Sequence, residues 1–274
     1  MQPEIQSRIP LGSRSDHMIE RLAKDRWSDL VPGLMENTAE NYFNLLGLLS
    51  KKPIYRDIYI QKDKEGKVLS YMFHRLSGTI KFYSRGAYDT EEVSRLLATL
   101  DFRKLIGPIT STDRLEKHGV LGKGTPITYL CRLEDPVELE LSDKGEIRQL
   151  AIEDLSKVVQ VYLEVFKSFA SEEVMEEKLL TGRGRAYGLF KDGRLVTVVQ
   201  TDFEQEGSAL IVGVATRLDC QGMGYGTRLM SHVIGILQAE GKKIYLEYES
   251  PEAGRLYDKL GFTRFDTVME YTRI

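Results

Sequence analysis

The sequence predicts an α/β protein with mixed sheets, organised as two successive domains, residues 1–140 and 141–274. Three observations lead there. At 274 residues the chain is long for one domain and comfortable for two. Short runs with strand character alternate with segments of helical spacing throughout. The order of these elements in the second half is also nearly repeated in the first, although sequence identity between the halves is not evident. The halves therefore read as a structural repeat, or as an active domain behind an unrelated α/β one.

The first half opens with helical patterns over Asp16–Leu30 and Asn37–Leu49, the latter ending at Lys51-Lys52-Pro53. Strand-like runs follow at Tyr55–Gln61 and Val68–His74, joined by Lys64-Glu65-Gly66-Lys67, where glycine tolerates the positive φ of a turn. A third run, Thr79–Ser84, comes after Ser77-Gly78. Asp89-Thr90 then supplies a cap for a helix over Glu91–Leu100. An apolar strand ends at Gly107-Pro108, a helical piece covers Thr112–His118, and a strand at Ile127–Leu133 closes the half. From Glu134 to Lys144 the chain is acidic and patternless, which reads as a linker.

The second half begins with a strand over Glu146–Ile152. Leu155, Val158, Val159, Tyr162, Val165 and Phe166 recur at helical spacing, and Glu172–Leu180 suggests a second helix. Strands Ala186–Lys191 and Leu195–Phe203 are joined by Asp192-Gly193, a hairpin signal. A third strand, Ala209–Thr216, meets a glycine-rich loop. Helix Tyr225–Glu240, strand Ile244–Glu249, helix Pro251–Leu260 and a final strand from Phe262 complete the order.

Composition narrows the function classes. The chain is 42% hydrophobic and 29% charged, as expected of a globular protein. A formal net charge of -3 gives no support to a nucleic-acid or anionic-membrane partner. Oligomeric state is left unread. Cys131 and Cys220 are too few for a disulfide framework and too isolated for zinc. With no signal-peptide core in MQPEIQSRIP, a cytoplasmic location is the default expectation.

The glycine loop carries the most chemistry. Gln221-Gly222-Met223-Gly224-Tyr225-Gly226 follows a strand and opens a helix. Small residues let the backbone approach an anion, and the unpaired N–H groups at a helix start point at it. Read alone, the pattern is an anion cradle or a tight strand–helix turn. A Walker loop would need Lys-Ser/Thr after the glycines, and Thr227-Arg228 stands there. A dinucleotide fingerprint belongs on the first strand of a parallel unit, whereas this loop follows the third strand of a meander.

The tail adds Ser250-Pro251-Glu252-Ala253-Gly254-Arg255-Leu256-Tyr257-Asp258-Lys259-Leu260-Gly261-Phe262. Together, Gln-x-x-Gly-x-Gly and Ala-x-x-x-Tyr-x-x-x-Gly-Phe resemble the GNAT superfamily of N-acetyltransferases, over about Glu146 to Ile274. The resemblance implies a GNAT fold for 141–274 with acetyl-CoA as co-substrate, and a degenerate GNAT-like repeat is the corresponding expectation for 1–140. It implies that Val214, Ala215 and Thr216 offer backbone groups to the pantetheine arm. Gln221, Gly222, Met223, Gly224, Tyr225, Gly226 and Thr227 would hold the pyrophosphate. Tyr257 matches the family tyrosine that protonates the departing thiolate. Ser250 stands where the family often has asparagine, so its place among the cofactor contacts is in doubt. Acceptor recognition would come from Phe166–Arg185, where Arg183 and Arg185 would attract a carboxylate or lie solvated in the loop.

The reaction the resemblance implies is direct attack on the thioester by an amine, the expected partner being a small-molecule or peptide amine. An alkylammonium with pKa near 10.4 carries a handicap of ~4.6 kcal/mol at neutral pH unless a group takes its proton. Strand Ala209–Val214 contains no acid or histidine, which leaves Glu247 and Glu249 on the following strand as the available carboxylates. A catalytically inactive acyl-CoA-binding regulatory module is the alternative reading. In the first half, Ser84-Arg85-Gly86-Ala87-Tyr88-Asp89-Thr90 has one glycine and an acid where the second half has its loop. That half is expected to have lost the cofactor site and to wall the acceptor cleft.

Overall fold

The computed structural model describes residues 18–135 and 145–274. The first half runs β1 (Met18–Arg21), α1 (Val31–Met35), α2 (Thr38–Leu49), β2 (Tyr55–Lys62), β3 (Val68–Arg75), β4 (Thr79–Ser84), α3 (Thr90–Thr99), β5 (Lys104–Pro108), α4 (Ile109–Thr112) and β6 (Thr125–Leu133). The second runs β7 (Glu146–Gln149), α5 (Leu155–Val165), α6 (Glu172–Leu180), β8 (Ala186–Lys191), β9 (Arg194–Asp202), β10 (Ser208–Thr216), α7 (Tyr225–Ala239), β11 (Lys243–Tyr248), α8 (Pro251–Lys259) and β12 (Phe262–Thr272). The two orders match element for element. A repeat is therefore visible in the fold that sequence identity does not reveal.

All these strands join one twelve-stranded sheet, ordered β1-β2-β3-β4-β5-β12-β6-β11-β10-β9-β8-β7. From either edge inward, an antiparallel meander leads to a parallel pair, β4–β5 in one half and β10–β11 in the other. At the centre the halves exchange their last strands. β12 inserts between β5 and β6, and β6 inserts between β12 and β11, all antiparallel.

The exchange carries side chains with it. Met269 and Tyr271 of β12 complete the core under α3, and Cys131 of β6 joins the core under α7 and α8. On the opposite sheet face, α1 and α2 cover one half, and α5 and α6 cover the other. There Phe203, at the end of β9, packs into the first half's core, edge-on to Tyr42 of α2 at 5.9 Å. Gln205 adds a side-chain amide that donates to the Met35 carbonyl at 2.9 Å.

Most predicted elements stand where periodicity put them. Asp192 and Gly193 both adopt positive φ (51° and 77°), as a type I′ turn demands. Asp89 caps α3, its carboxylate accepting from the Glu92 N–H at 2.9 Å. The helix expected over Asp16–Leu30 is a correction. Met18–Arg21 is a strand paired with β2, and only Lys24–Leu30 turns, as 3₁₀. Its backbone found a sheet edge, a partner distant in sequence, and Glu20 seals the pairing by a 2.7 Å ion pair with Lys62. The linker predicted at 134–144 lies almost wholly outside the described residues. Among the described residues, no helix is long and apolar enough to cross a membrane.

Because the halves share a centre, they should unfold together. Leu229→Ala on α7 empties a fully buried site and should cost about 2–5 kcal/mol. Trp27, the chain's only tryptophan, lies in the other half against Tyr55. The variant should lower the urea midpoint read by Trp27 fluorescence as much as that read by circular dichroism. A Trp27 midpoint that stays in place would show the halves to be independent.

Candidate active site

The site begins where β10 leaves β11. Parallel pairing runs from Ser208–Lys243 to Ile211–Leu246 and stops. There the β9–β10 register shifts between Val212 and Ala215, and Gly213 takes φ 59°. Tyr162 of α5, fully buried, donates its hydroxyl to the Gly213 carbonyl at 2.7 Å. A Cβ at 213 would lie 2.2 Å from that hydroxyl, so glycine is required by both conformation and space. The bulge turns Val214, Ala215 and Thr216 away from β11 and opens a V between two strands of one sheet.

Thr216 leads into the loop. The Gln221 side-chain amide reaches back to the Thr216 carbonyl at 3.1 Å. Gly222 and Gly224 have φ of 75° and 85°, and Gly224 is the N-cap of α7 with no side-chain cap. Among the described residues, the N–H groups of Gly222, Met223 and Gly224 find no hydrogen-bond partner. Those of Tyr225, Gly226 and Thr227 belong to the open first turn of the helix. Gly226 sits tight against Thr216, where a Cβ would lie 3.3 Å from the hydroxyl. This is a concave row of unused donors at the positive end of a fifteen-residue helix. It suits the pyrophosphate of a coenzyme, with Lys191 at the cleft wall beside Gly222 and Tyr225.

The equivalent corner of the first half is closed. α3 already has the Asp89 carboxylate on its first turn. Gln61 holds the Asp89 backbone from both sides, accepting from its N–H at 2.9 Å and donating to its carbonyl at 3.2 Å. The gap between β4 and β5 is filled by α4. The Ser84 N–H donates to the Ser111 hydroxyl at 3.1 Å, and Tyr88 donates to the Ser111 carbonyl at 2.6 Å. No V remains for a pantetheine arm there.

The structure divides the other sequence candidates. Ser250 caps α8, its hydroxyl accepting from the Ala253 N–H at 3.2 Å, with Pro251 at the first helical position. Tyr257 lies in the core between β11 and α8, with ring centroids 5.6 Å from Tyr248 and 6.0 Å from Phe262. Burial pushes its hydroxyl well above the usual tyrosine range, so it stays protonated. Glu249 is exposed. Glu247, one residue from Tyr248, faces the other side of the sheet and is half-buried. Burial pushes its carboxyl up to about 7 against the pull of the Lys81 charge. His232, mid-helix, is exposed.

Glu247 opens into a narrow cleft shared by both halves. Its walls include Glu40, Tyr42 and Phe43 of α2, Lys81 of β4 and Thr128 of β6. Burial lowers Lys81 to about 8 and raises Glu40. The sequence reading missed these first-half residues. Nothing local marks them, because a lysine in a strand and an aromatic pair in a helix are ordinary until the halves are laid together. Arg183 and Arg185 are a correction. They are not simply solvated, since Arg183 pairs with Asp202 at 2.7 Å, its Nη2 buried without a partner among the described residues, and Arg185 pairs with Glu204 and Glu240 at 2.6 Å each.

Residues 150–262 match the model of the acetyltransferase (GNAT) family. No curated protein matches the sequence. Among solved structures, a GNAT-family acetyltransferase from Colwellia psychrerythraea is 10% identical with a TM-score of 0.68, covering 94% of this chain and 100% of its own. A GCN5-related N-acetyltransferase from Sphaerobacter thermophilus is 14% identical with a TM-score of 0.64, covering 94% and 96%. A tandem GNAT protein from the clavulanic acid biosynthesis pathway is 14% identical with a TM-score of 0.62, covering 93% and 98%. At these identities the likeness is one of fold, and it extends over both halves.

The raised Glu247 carboxyl has a stability consequence. The folded state holds its proton to about 7, whereas the unfolded chain releases it near 4.5. Stability is therefore lost as pH rises through that window, and the loss is complete above it. Glu247→Gln removes the effect. The melting temperature of the variant relative to the parent should grow between pH 5 and pH 8, and a constant difference would contradict the burial.

Proposed function

With residues 150–262 forming a GNAT acetyltransferase domain and the first half GNAT-like in fold, we propose that this protein transfers an acetyl group from acetyl-CoA to an amine acceptor at one active site, in the second half. Acyl transfer follows from family and fold. The observation that carries the finer reading is the pairing of a bulged, splayed β10 with an uncapped glycine loop at the start of α7. It occurs in the second half, while the corresponding corner of the first is capped and plugged.

Acetyl-CoA, when bound, supplies the thioester. In this reading the N–H groups from Gly222 to Thr227 hold its pyrophosphate by charge-assisted bonds. Backbone groups of Val214, Ala215 and Thr216 line the arm beyond the bulge. Attack by nitrogen forms a C–N bond and breaks the C–S bond, leaving one proton and one thiolate to be placed. Glu247 takes the proton, directly or through water. A carboxylate poised near 7 balances availability against basicity at neutral pH, which an ordinary glutamate does not. Tyr257 retains its proton at every working pH, as a donor to the thiolate must. Glu249, exposed just past the end of β11, has no part in this scheme.

Two measurements test it. Gly224→Glu places a charged side chain in a left-handed position at the cradle and should abolish coenzyme A binding in calorimetry. Gly224→Asn, which tolerates that conformation, controls for folding. Glu247→Gln should lower kcat/KM by about 10²–10⁴ and remove the rising limb centred near pH 7. Coenzyme A that binds but is never released as thiol from acetyl-CoA, across a broad amine panel, would favour a binding module instead.

A further inference from the structure

The cleft in front of Glu247 has a charge pattern that the proposed chemistry leaves unused. Lys81 and Glu247 enter it from different halves, on strands β4 and β11. Their charges attract across it, yet among the described residues neither makes an ion pair within 4.0 Å or a hydrogen bond. Elsewhere withdrawn lysines find a partner. Lys178 donates to the Gln200 side-chain oxygen, and Lys242 contacts Glu204 and Glu240 at 2.5 and 2.9 Å. Charges withdrawn from water and left without partners are costly, and this cost is relieved by a ligand that supplies both counter-charges.

We propose that the acceptor is a small zwitterion, an amino acid or close analogue, whose carboxylate sits on Lys81 and whose ammonium sits on Glu247. This identification rests on Glu247 as the proton acceptor and deepens that reading. Among the described residues, Lys81 is the one cation lining the cleft. Its ammonium is held 5.3 Å from the centre of the Phe43 ring, a placement that leaves its outward N–H donors to a ligand. Ile106 and Val268 give the floor an apolar surface, and Phe43, 48% exposed, forms the mouth against which a side chain can rest. Glu40 on α2, Tyr42 beside it, Glu249 two residues beyond Glu247, and more distant Arg75, Glu270 and Asp266 are the other charged and titratable groups around the pair. On transfer, the ammonium gives one proton to Glu247 and its nitrogen bonds the acyl carbon. The C–S bond breaks, Tyr257 protonates the departing thiolate, the second proton shed by the nitrogen restores Tyr257 through water, and the carboxylate stays on Lys81 unchanged. An amine without the carboxylate leaves Lys81 unpaired, and such omissions are rejected strongly.

Matched acceptors test this on the full-length protein. Initial rates of thiol release from acetyl-CoA are compared for leucine, leucinamide and isopentylamine, and for alanine and alaninamide. The amino acid should be preferred by at least tenfold in kcat/KM. Lys81→Met should raise its KM at least tenfold and shrink its advantage over the amide. Preference for the amide or amine, or a preference untouched by Lys81→Met, overturns the zwitterion while leaving acetyl transfer intact. Saturation-transfer NMR with leucine and coenzyme A reads binding without turnover. Leucine bound by the parent and lost in Lys81→Met supports the inference even if no thiol is released, and leucine unbound by the parent overturns it. Methionine replaces a half-buried charge, so unchanged or raised melting temperature will show the variant folded.

Discussion

The antiparallel ladder between β6 and β12 holds this molecule together. It runs from Leu133–Phe262 to Thr125–Glu270, and each strand lies on the far side of the other's home sheet. Had each half kept its own last strand, the two sheets would meet along two edges and form a separable interface. With the strands exchanged, each half's core contains side chains from the other, and neither half has a complete sheet alone. The ladder also sets the distance between β4 and β11, and so decides that Lys81 and Glu247 share one cleft.

The two copies use the same strand–helix corner in opposite ways. In the second half, two positive-φ glycines leave the α7 terminus without a cap and its N–H groups unspent. In the first, one aspartate satisfies the α3 terminus, and a glutamine consumes the backbone before it. A helix start has a fixed set of orphan donors, and a side chain that takes them removes the anion site. The plug of Ser111 and Tyr88 between β4 and β5 converts an open V into core. The first half thereby lacks the open corner that the second half keeps.

Electrostatics shows a similar contrast. Around Arg185, Glu204, Glu240 and Lys242 the charges interlock, and Arg185 holds Glu240 down to about 2. That network ties the α6–β8 connection to the end of α7, and its ions are mutually satisfied. Lys81 and Glu247 are moved the other way, toward neutrality, because burial removes water and no neighbour replaces it. The first arrangement rigidifies a scaffold. The second keeps two groups reactive near neutral pH.

The sequence by itself determined the local elements and the glycine loop at the start of α7. Helical spacing, the Asp192-Gly193 turn, the Asp89 cap and the Gln221–Gly226 loop depend on contacts within a few residues, so their signals are local. Glu247 was legible as a carboxylate on the strand that follows α7, though not as distinct from Glu249. The structure separates them by burial, exposing one and half-burying the other. Strand β1 was misread because its partner, β2, lies some forty residues onward. Arg183 and Arg185 looked free because their acids come from other elements. The strand exchange, the plugged first-half cleft and the meeting of Lys81 with Glu247 were decided only by tertiary structure. Each depends on pairing between residues far apart in the chain, which pattern within a short window does not encode.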